Sequence, residues 1–229
     1  MSDIFLVRHG ETAWNRELRF QGQIDVPLND LGLTQAQRLA DRLRHEWQAG
    51  FDKPLHLVSS DLQRAHQTAS ALGQALDLPI TAHAALREQH FGLFEGLLSA
   101  DIQRDHADVW HQWLQFQADF AIPGGGESTR QFHARVCQAV RQLAHTHADR
   151  TLVIVTHGGV LDMLWRSAQG IPLDGPRTCD IPNVGLNQMR WVGEQPEIVR
   201  WADTAHLDGL PEQPNFKQRL RPLGADSRV

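Results

Sequence analysis

The chain has 229 residues, of which 41% are hydrophobic and 21% charged, and it carries a formal net charge of −5 at pH 7. A chain of this size buries a full core as one domain, its balance is that of soluble globular proteins, and its charge gives no bulk attraction to nucleic acid or to an anionic membrane. Any anion must be held by a local cluster.

The first element is Ile4-Phe5-Leu6-Val7, an apolar run stopped by Arg8-His9-Gly10. Such a run reads as a buried parallel strand, and ligands of open α/β sheets bind just past the carboxyl ends of their strands. Arg8 and His9 therefore stand where a substrate would sit. Trp14 to Asn29 shows neither helical nor alternating periodicity and reads as a long loop beside that position. Thr34 and Gln37 form a T-x-x-Q capping box for a helix through Ala36, Leu39, Ala40, Leu43 and Trp47, ending near Gln48. Leu55–Ser59 reads as a second strand, after which Ser60-Asp61 caps a helix with Leu62, Ala65, Ala69, Leu72 and Leu76 on its apolar face. Arg64 falls in the first turn of that helix, where the macrodipole disfavours a cation by a few tenths of a kcal/mol to about 1. A nearby bound anion would offset that cost; a solvated surface arginine is the competing reading.

Pro79-Ile80-Thr81 reads as a short third strand. In Leu86 to Gly96, Glu88 and Glu95 lie among apolar residues and glycines, a setting that suits a carboxyl group to proton donation, with a salt bridge or helix cap as the alternative. Ala100 to Phe120 is helical and expected to lie over the site as a cap, an insertion spanning about 97–123. Ser128 and Gln131 make a second capping box for a helix with Phe132, Val136, Val140 and Leu143 inward. Pro123-Gly124-Gly125-Gly126 is not followed by Gly-Lys-Ser/Thr, which excludes a Walker A loop. Leu152-Val153-Ile154-Val155-Thr156-His157-Gly158-Gly159 repeats the opening arrangement, so neighbouring strands would bring His9 and His157 to one sheet edge, beside a helix N-terminus suited to an anion. Leu186–Val192 and Ile198–Trp201 read as a strand pair. The domain is expected over 1–202, and the polar stretch 203–229 as a tail that wraps the surface or is disordered.

Three strand-to-helix junctions thus deliver Arg8 with His9, Arg64, and His157, and a fourth region offers a carboxylate. Two guanidiniums can bind a phosphoryl group, one neutral imidazole can attack phosphorus, a second can donate to the equatorial oxygens, and a carboxyl group can protonate the leaving alkoxide. With 13 histidines in the chain, no single one is informative; the joint placement is.

Leu6-Val7-Arg8-His9-Gly10-Glu11-Thr12 with Trp14-Asn15 resembles the signature of the histidine phosphatase superfamily in its phosphoglycerate-mutase-like branch. The resemblance continues through Phe20-Gln21-Gly22, Ser59-Ser60-Asp61-Leu62-Gln63-Arg64-Ala65, Leu86-Arg87-Glu88, Gly125-Gly126-Glu127-Ser128 and Val155-Thr156-His157-Gly158-Gly159, over about residues 4–192. It implies a three-layer α/β/α fold with a central, mostly parallel sheet and a helical cap, and a phosphohistidine intermediate on His9. It also implies a phosphate pocket of Arg8, Arg64 and His157, and Glu88 as the acid and then the base. Asn15, Gln21 and Gly22 match secondary positions near the phosphate, and Gly158 joins them as a candidate through the free N–H groups of the helix that begins there. Glu95 has no match to the acid position and reads as a brace for the loop.

The expectation is a metal-free, cofactor-free phosphomonoesterase acting on a small-molecule phosphate ester. The rival is a phosphoglycerate mutase using the same residues; the chain has no Tyr, carries Phe91 in the region after the acid, and lacks a long middle insertion, departures that favour hydrolysis. A silent phosphate-binding module would be expected to lack His9, Glu88 or His157. A cysteine phosphatase needs Cys and Arg six apart, but Leu143 and Gly185 follow Cys137 and Cys179 at that spacing. No H-E-x-x-H zinc motif occurs. Two cysteines without C-x-x-C spacing, no leader-like opening and no run of 18 apolar residues point to the cytoplasm, with no nucleic-acid or membrane partner and assembly, if any, as a homodimer.

Overall fold

The computed structural model describes residues 2–48, 50–192 and 195–214. Six strands form one sheet: β1 (Ser2–Arg8), β2 (Leu55–Ser59), β3 (Ile80–Ala82), β4 (Thr151–Thr156), β5 (Leu186–Val192) and β6 (Gln195–Asp203), in the order β3-β2-β4-β1-β5-β6. The first four in that order run parallel, β5 runs antiparallel to β1, and β6 runs antiparallel to β5; the central strands carry apolar residues on both faces. Phe5 and Val7 with Leu57, Val153 and Val155 pack against α2 (Asp30–Glu46) and α3 (Gln63–Leu76). Ile4, Leu6, Leu152 and Ile154 pack on the other face against α6 (Thr129–Thr146) and α7 (Gly158–Gln169). The result is the expected α/β/α layering. Leu6 and Ile154 are fully buried, and truncating either to Ala would cost about 2–5 kcal/mol.

A satellite cluster builds the cap. The helices α4 (Ser99–Asp105) and α5 (Ala107–Trp113) bury Ile102 and Trp110 against Phe94, Ile122 and, from the loop before α2, Phe20. Phe20 meets Phe91, Phe94 and Trp113 edge-on at 5.3, 5.5 and 5.4 Å between centroids. Its main chain pairs with Leu97 O and Gly96 N, which clamps the long loop to the cap.

Four local expectations are corrected. The loop from Trp14 holds a one-turn helix, α1 (Ala13–Arg16), whose Thr12 and Asn15 form a reciprocal capping box; four residues are too few to show a period. The helix expected to begin at Thr34 begins at Asp30, capped by Asn29 Oδ1 accepting from Gly32 N, and Thr34 instead donates to Asp30 O. Ser60 and Asp61 do not cap α3, whose N-cap is Leu62: Ser60 turns to His157 and Asp61 to Arg87. The cap helix breaks in two at His106. In the C-terminal stretch, β6 runs to Asp203, and the residues after it pack against α2 and the segment before β5, with His206 on Val184 O and Gln213 on the Asn183 main chain; 215–229, also expected as tail, lie outside the described residues. The second capping box, Ser128 with Gln131, is present as expected.

Candidate active site

β1 and β4 are adjacent and in register with Arg8 opposite Thr156, so both strands end at one level and release His9 and His157 side by side. The two rings stand 5.2 Å apart between centroids, and His9 N donates to Thr156 O at 2.8 Å. His9 Nδ1 lies 2.7 Å from Gly10 O. A carbonyl can only accept, so Nδ1 carries the proton and the in-plane lone pair belongs to Nε2. Asn183 Nδ2 donates to His9 O, fixing the main chain as well.

His157 is fully buried, and its Nε2 lies 2.8 Å from Ser60 Oγ. Burial, reinforced by Arg64, His9 and Arg8, holds its imidazole well below the usual histidine range, so the ring is neutral. The Ser60 hydroxyl can donate to Nε2, an arrangement that puts the proton on Nδ1, a buried atom with no partner among the described residues. That is an orphaned donor beside two guanidiniums.

Arg64 is 1% exposed, the reverse of a solvated arginine. Nη1 and Nη2 donate to Ile24 O and Gly22 O at 2.9 and 2.7 Å, while its buried Nε has no acceptor among the described residues. Burial lowers its pKa to about 10 against the opposing pull of Glu88, Asp25 and Glu95, which still leaves it charged at neutral pH. Arg8 Nη1 donates to Ile181 O at 2.6 Å. Gly22 can present its carbonyl to Arg64 because its φ is +51° and Glu95 occupies the place of a Cβ. Glu95 Oε1 accepts from Gln23 N and Phe91 N, so this carboxylate ties the loop to the cap base. Asn15 Oδ1 accepts from Thr12 N and shares the single Thr12 hydroxyl proton with Gln21 Oε1, which turns both –NH2 ends the other way.

Glu88 is held at the start of α7: Oε2 accepts from Gly159 N at 3.0 Å and Oε1 from Gln89 N at 2.9 Å. Its carbonyl accepts from Arg135 and Gln23, and Arg135 is itself locked by Glu127 at 2.6 Å.

The geometry has counterparts. The family model for the histidine phosphatase superfamily (branch 1) matches residues 4–204. The chain belongs to the histidine phosphatase superfamily. Among curated members, it is 35% identical over 209 residues to phosphoglycerate mutase-like protein 4 of Arabidopsis thaliana, covering 90% of this chain and 87% of that protein. It is 34% identical to the metal-independent phosphoserine phosphatase of the same plant, covering 92% and 85%. A solved mycobacterial glucosyl-3-phosphoglycerate phosphatase superposes with a TM-score of 0.76 at 32% identity, over 89% of this chain and all of that one.

In this histidine phosphatase, a cavity of about 500 Å³ opens from Arg8, Glu88 and Gly158. Phe91 with Trp113, Phe116 and Phe120 of the cap line it, as do residues of the segment from Leu173 to Pro182 and Gln213. Sequence reasoning did not single out Ser60 as the partner of His157, or Arg135, Arg177 and Gln213. Ser60 alone carried a signal, because it follows β2 at the same sheet edge as the two histidines. The others come from a helix face or loops without periodicity.

Proposed function

We propose that this protein is a phosphomonoesterase that works through a phosphohistidine on His9, acting on a small phosphorylated metabolite. The observation that carries the proposal is the His9 Nδ1 to Gly10 O hydrogen bond, which puts the nucleophilic lone pair on Nε2 next to a neutral His157 and the buried Arg64. His9 Nε2 attacks phosphorus while the bond from phosphorus to the ester oxygen breaks. Glu88 gives its proton to the leaving alkoxide. Arg8 and Arg64 neutralise the phosphoryl oxygens, His157 Nδ1–H donates to one of them, and Gly158 N–H, at a helix start without an intrahelical acceptor, adds another donor. Asn15 and Gln21 contribute their –NH2 ends, and Gly22 acts by holding Arg64. In the second half, the Glu88 carboxylate takes a proton from water, the water oxygen attacks phosphorus, the N–P bond breaks, and its electron pair returns to His9 with release of phosphate. No step calls on a metal or an organic cofactor.

Relatives carry both mutase and phosphatase names, and the phosphatase names recur among the curated and the solved ones. Hydrolysis also agrees with the short cap and the absence of Tyr from the chain. The test is to trap an acid-labile phosphoenzyme from labelled aryl phosphate and to follow phosphate release. His9→Ala is expected to abolish the adduct and lower turnover at least about a thousandfold. Retained turnover in that variant would refute the nucleophile. Conversion of 3- to 2-phosphoglycerate faster than phosphate release would move the enzyme to the mutases.

A further inference from the structure

The turn that leads into β5 is strained and lies against the nucleophile. Gly185 N closes it on Pro182 O at 3.1 Å, and its third residue, Val184, has a φ of +56°, a region that favours glycine and is an outlier for a β-branched side chain. Val184 N donates to Arg8 O at 2.9 Å, and Asn183 Nδ2 donates to His9 O at 2.8 Å. One short turn thus holds the main chain of both functional residues at the end of β1. Because a carbonyl only accepts, the Asn183 amide must present Nδ2 to His9, which leaves its Oδ1 buried with no partner among the described residues.

Strain of this kind persists only where the surroundings over-determine the backbone. Here the determinants come from the segment after β6. His206 Nε2 donates to Val184 O at 3.0 Å. Gln213 holds the Asn183 main chain with both ends of its amide: Oε1 accepts from Asn183 N at 2.5 Å, and Nε2 donates to Asn183 O at 3.0 Å. The stretch between them is fastened to the body of the protein, with Asp208 O accepting from Arg38 of α2 at 3.1 Å and Glu212 O from Arg16 of α1 at 3.0 Å. Arg16 is paired in turn with the buried Glu11 at 2.7 Å, so the strap that carries Gln213 is anchored two residues beyond the nucleophile.

We propose that Gln213 is a positioning residue for phosphoryl transfer to His9, acting through the Asn183 main chain. This rests on the phosphohistidine reading above. Without Gln213, Asn183 N and O lose their partners and the turn can relax, carrying Asn183 Nδ2 away from His9 O. In-line attack depends on where His9 Nε2 stands, and a misplacement of about 1 Å can cost about 100-fold in rate. Gln213 lines the cavity, but in this role it touches no reacting atom.

The experiment compares the wild type with Gln213→Ala and Gln213→Glu on nitrophenyl phosphate, together with inhibition by vanadate and by inorganic phosphate. Gln213→Ala is expected to lower kcat/KM by about 10- to 100-fold. Vanadate copies the five-coordinate transition state and needs His9 Nε2 in place, so its inhibition should weaken about tenfold. Inorganic phosphate should change less than about threefold, because His206 still holds Val184 and with it Arg8. In Gln213→Glu a protonated carboxyl group accepts from Asn183 N and donates to Asn183 O as the amide does, whereas a carboxylate repels that carbonyl. Its kcat/KM relative to the wild type should therefore rise about 3- to 10-fold from pH 7 to pH 5, with no such rise in Gln213→Ala. Wild-type kcat/KM in Gln213→Ala, or equal weakening of vanadate and phosphate, overturns the assignment. So does a higher KM with unchanged kcat, which would make Gln213 a substrate contact. A wild type that forms no phosphoenzyme would instead refute the phosphohistidine reading and, with it, this role.

Discussion

Gly159 donates its backbone N–H to Glu88 Oε2 at 3.0 Å, and a side chain at position 159 would collide with the other carboxylate oxygen. The start of α7 and the candidate acid are therefore fitted to one another. Gly159→Ala would also bring its Cβ to 2.9 Å from Phe132 Cε1, so the carboxylate is the part that gives way. For alkyl phosphates, kcat/KM is expected to fall by about 10²- to 10⁴-fold, the usual contribution of a positioned general acid. The loss should be much smaller for nitrophenyl phosphate, whose leaving group needs no proton. Because kcat/KM reports the steps up to the phosphoenzyme, equal losses on the two esters would remove Glu88 from leaving-group protonation.

Ser60 is expected to act on phosphate through His157. Removing its hydroxyl in Ser60→Ala takes away the 2.8 Å partner of Nε2 and with it the preference for a proton on Nδ1. Inhibition by vanadate or inorganic phosphate is expected to weaken about 3- to 10-fold, corresponding to roughly 0.5–1.5 kcal/mol for one hydrogen bond. An unchanged inhibition constant would mean that the hydroxyl does not set the tautomer.

Glu95 is expected to matter for stability before chemistry. Glu95→Ala strands Gln23 N and Phe91 N, at a cost of about 1–3 kcal/mol, read as a lower urea midpoint. Glu95→Gln keeps an acceptor oxygen and should lose less. The same loop supplies Gly22 O to Arg64, so KM for phosphate esters should rise in Glu95→Ala. A variant with wild-type stability would show that the brace is dispensable.

His206 gives the fold a pH limit. Its Nε2 donates to Val184 O at 3.0 Å, so Nδ1 is the unprotonated nitrogen that accepts from Arg42 at 3.3 Å. Burial and Arg42 depress its pKa to about 4. The unfolded chain, titrating near 6.5, binds the proton first, so this contribution to stability is complete above about pH 6.5 and is lost as pH falls towards 4. His157 is depressed for the same dominant reason and slopes the same way. Urea unfolding between pH 7 and 5 should show falling stability, with a shallower slope in His206→Gln. An identical slope in that variant would place the titration elsewhere.

What was legible in the sequence was whatever short-range pattern dictates. β1, β2 and β4 announce themselves as apolar runs, and Ser128 with Gln131 marks the start of α6 because its two hydrogen bonds are local. The shared edge for His9 and His157 was legible because each ends a strand of the same kind. The start of α2 was missed because Asn29 and Gly32 precede the apolar period and look like a turn. Ser60 and Asp61 resemble caps by residue type, but His157 and Arg87 claim their side chains across the fold. Arg177 and Gln213 lie in segments whose course is set by Arg166 and by the Asn183 main chain, contacts that no local spacing encodes.

The register of Arg8 with Thr156 also governs when the molecule can first work. β1 is made before its partner β4, which follows only after α2, β2, α3 and the cap. Until then His9 has neither the Thr156 carbonyl that anchors its main chain nor the imidazole that faces it. A truncated chain ending before β4 therefore lacks the strand that β1 pairs with and the imidazole that faces His9, and is expected to be inactive.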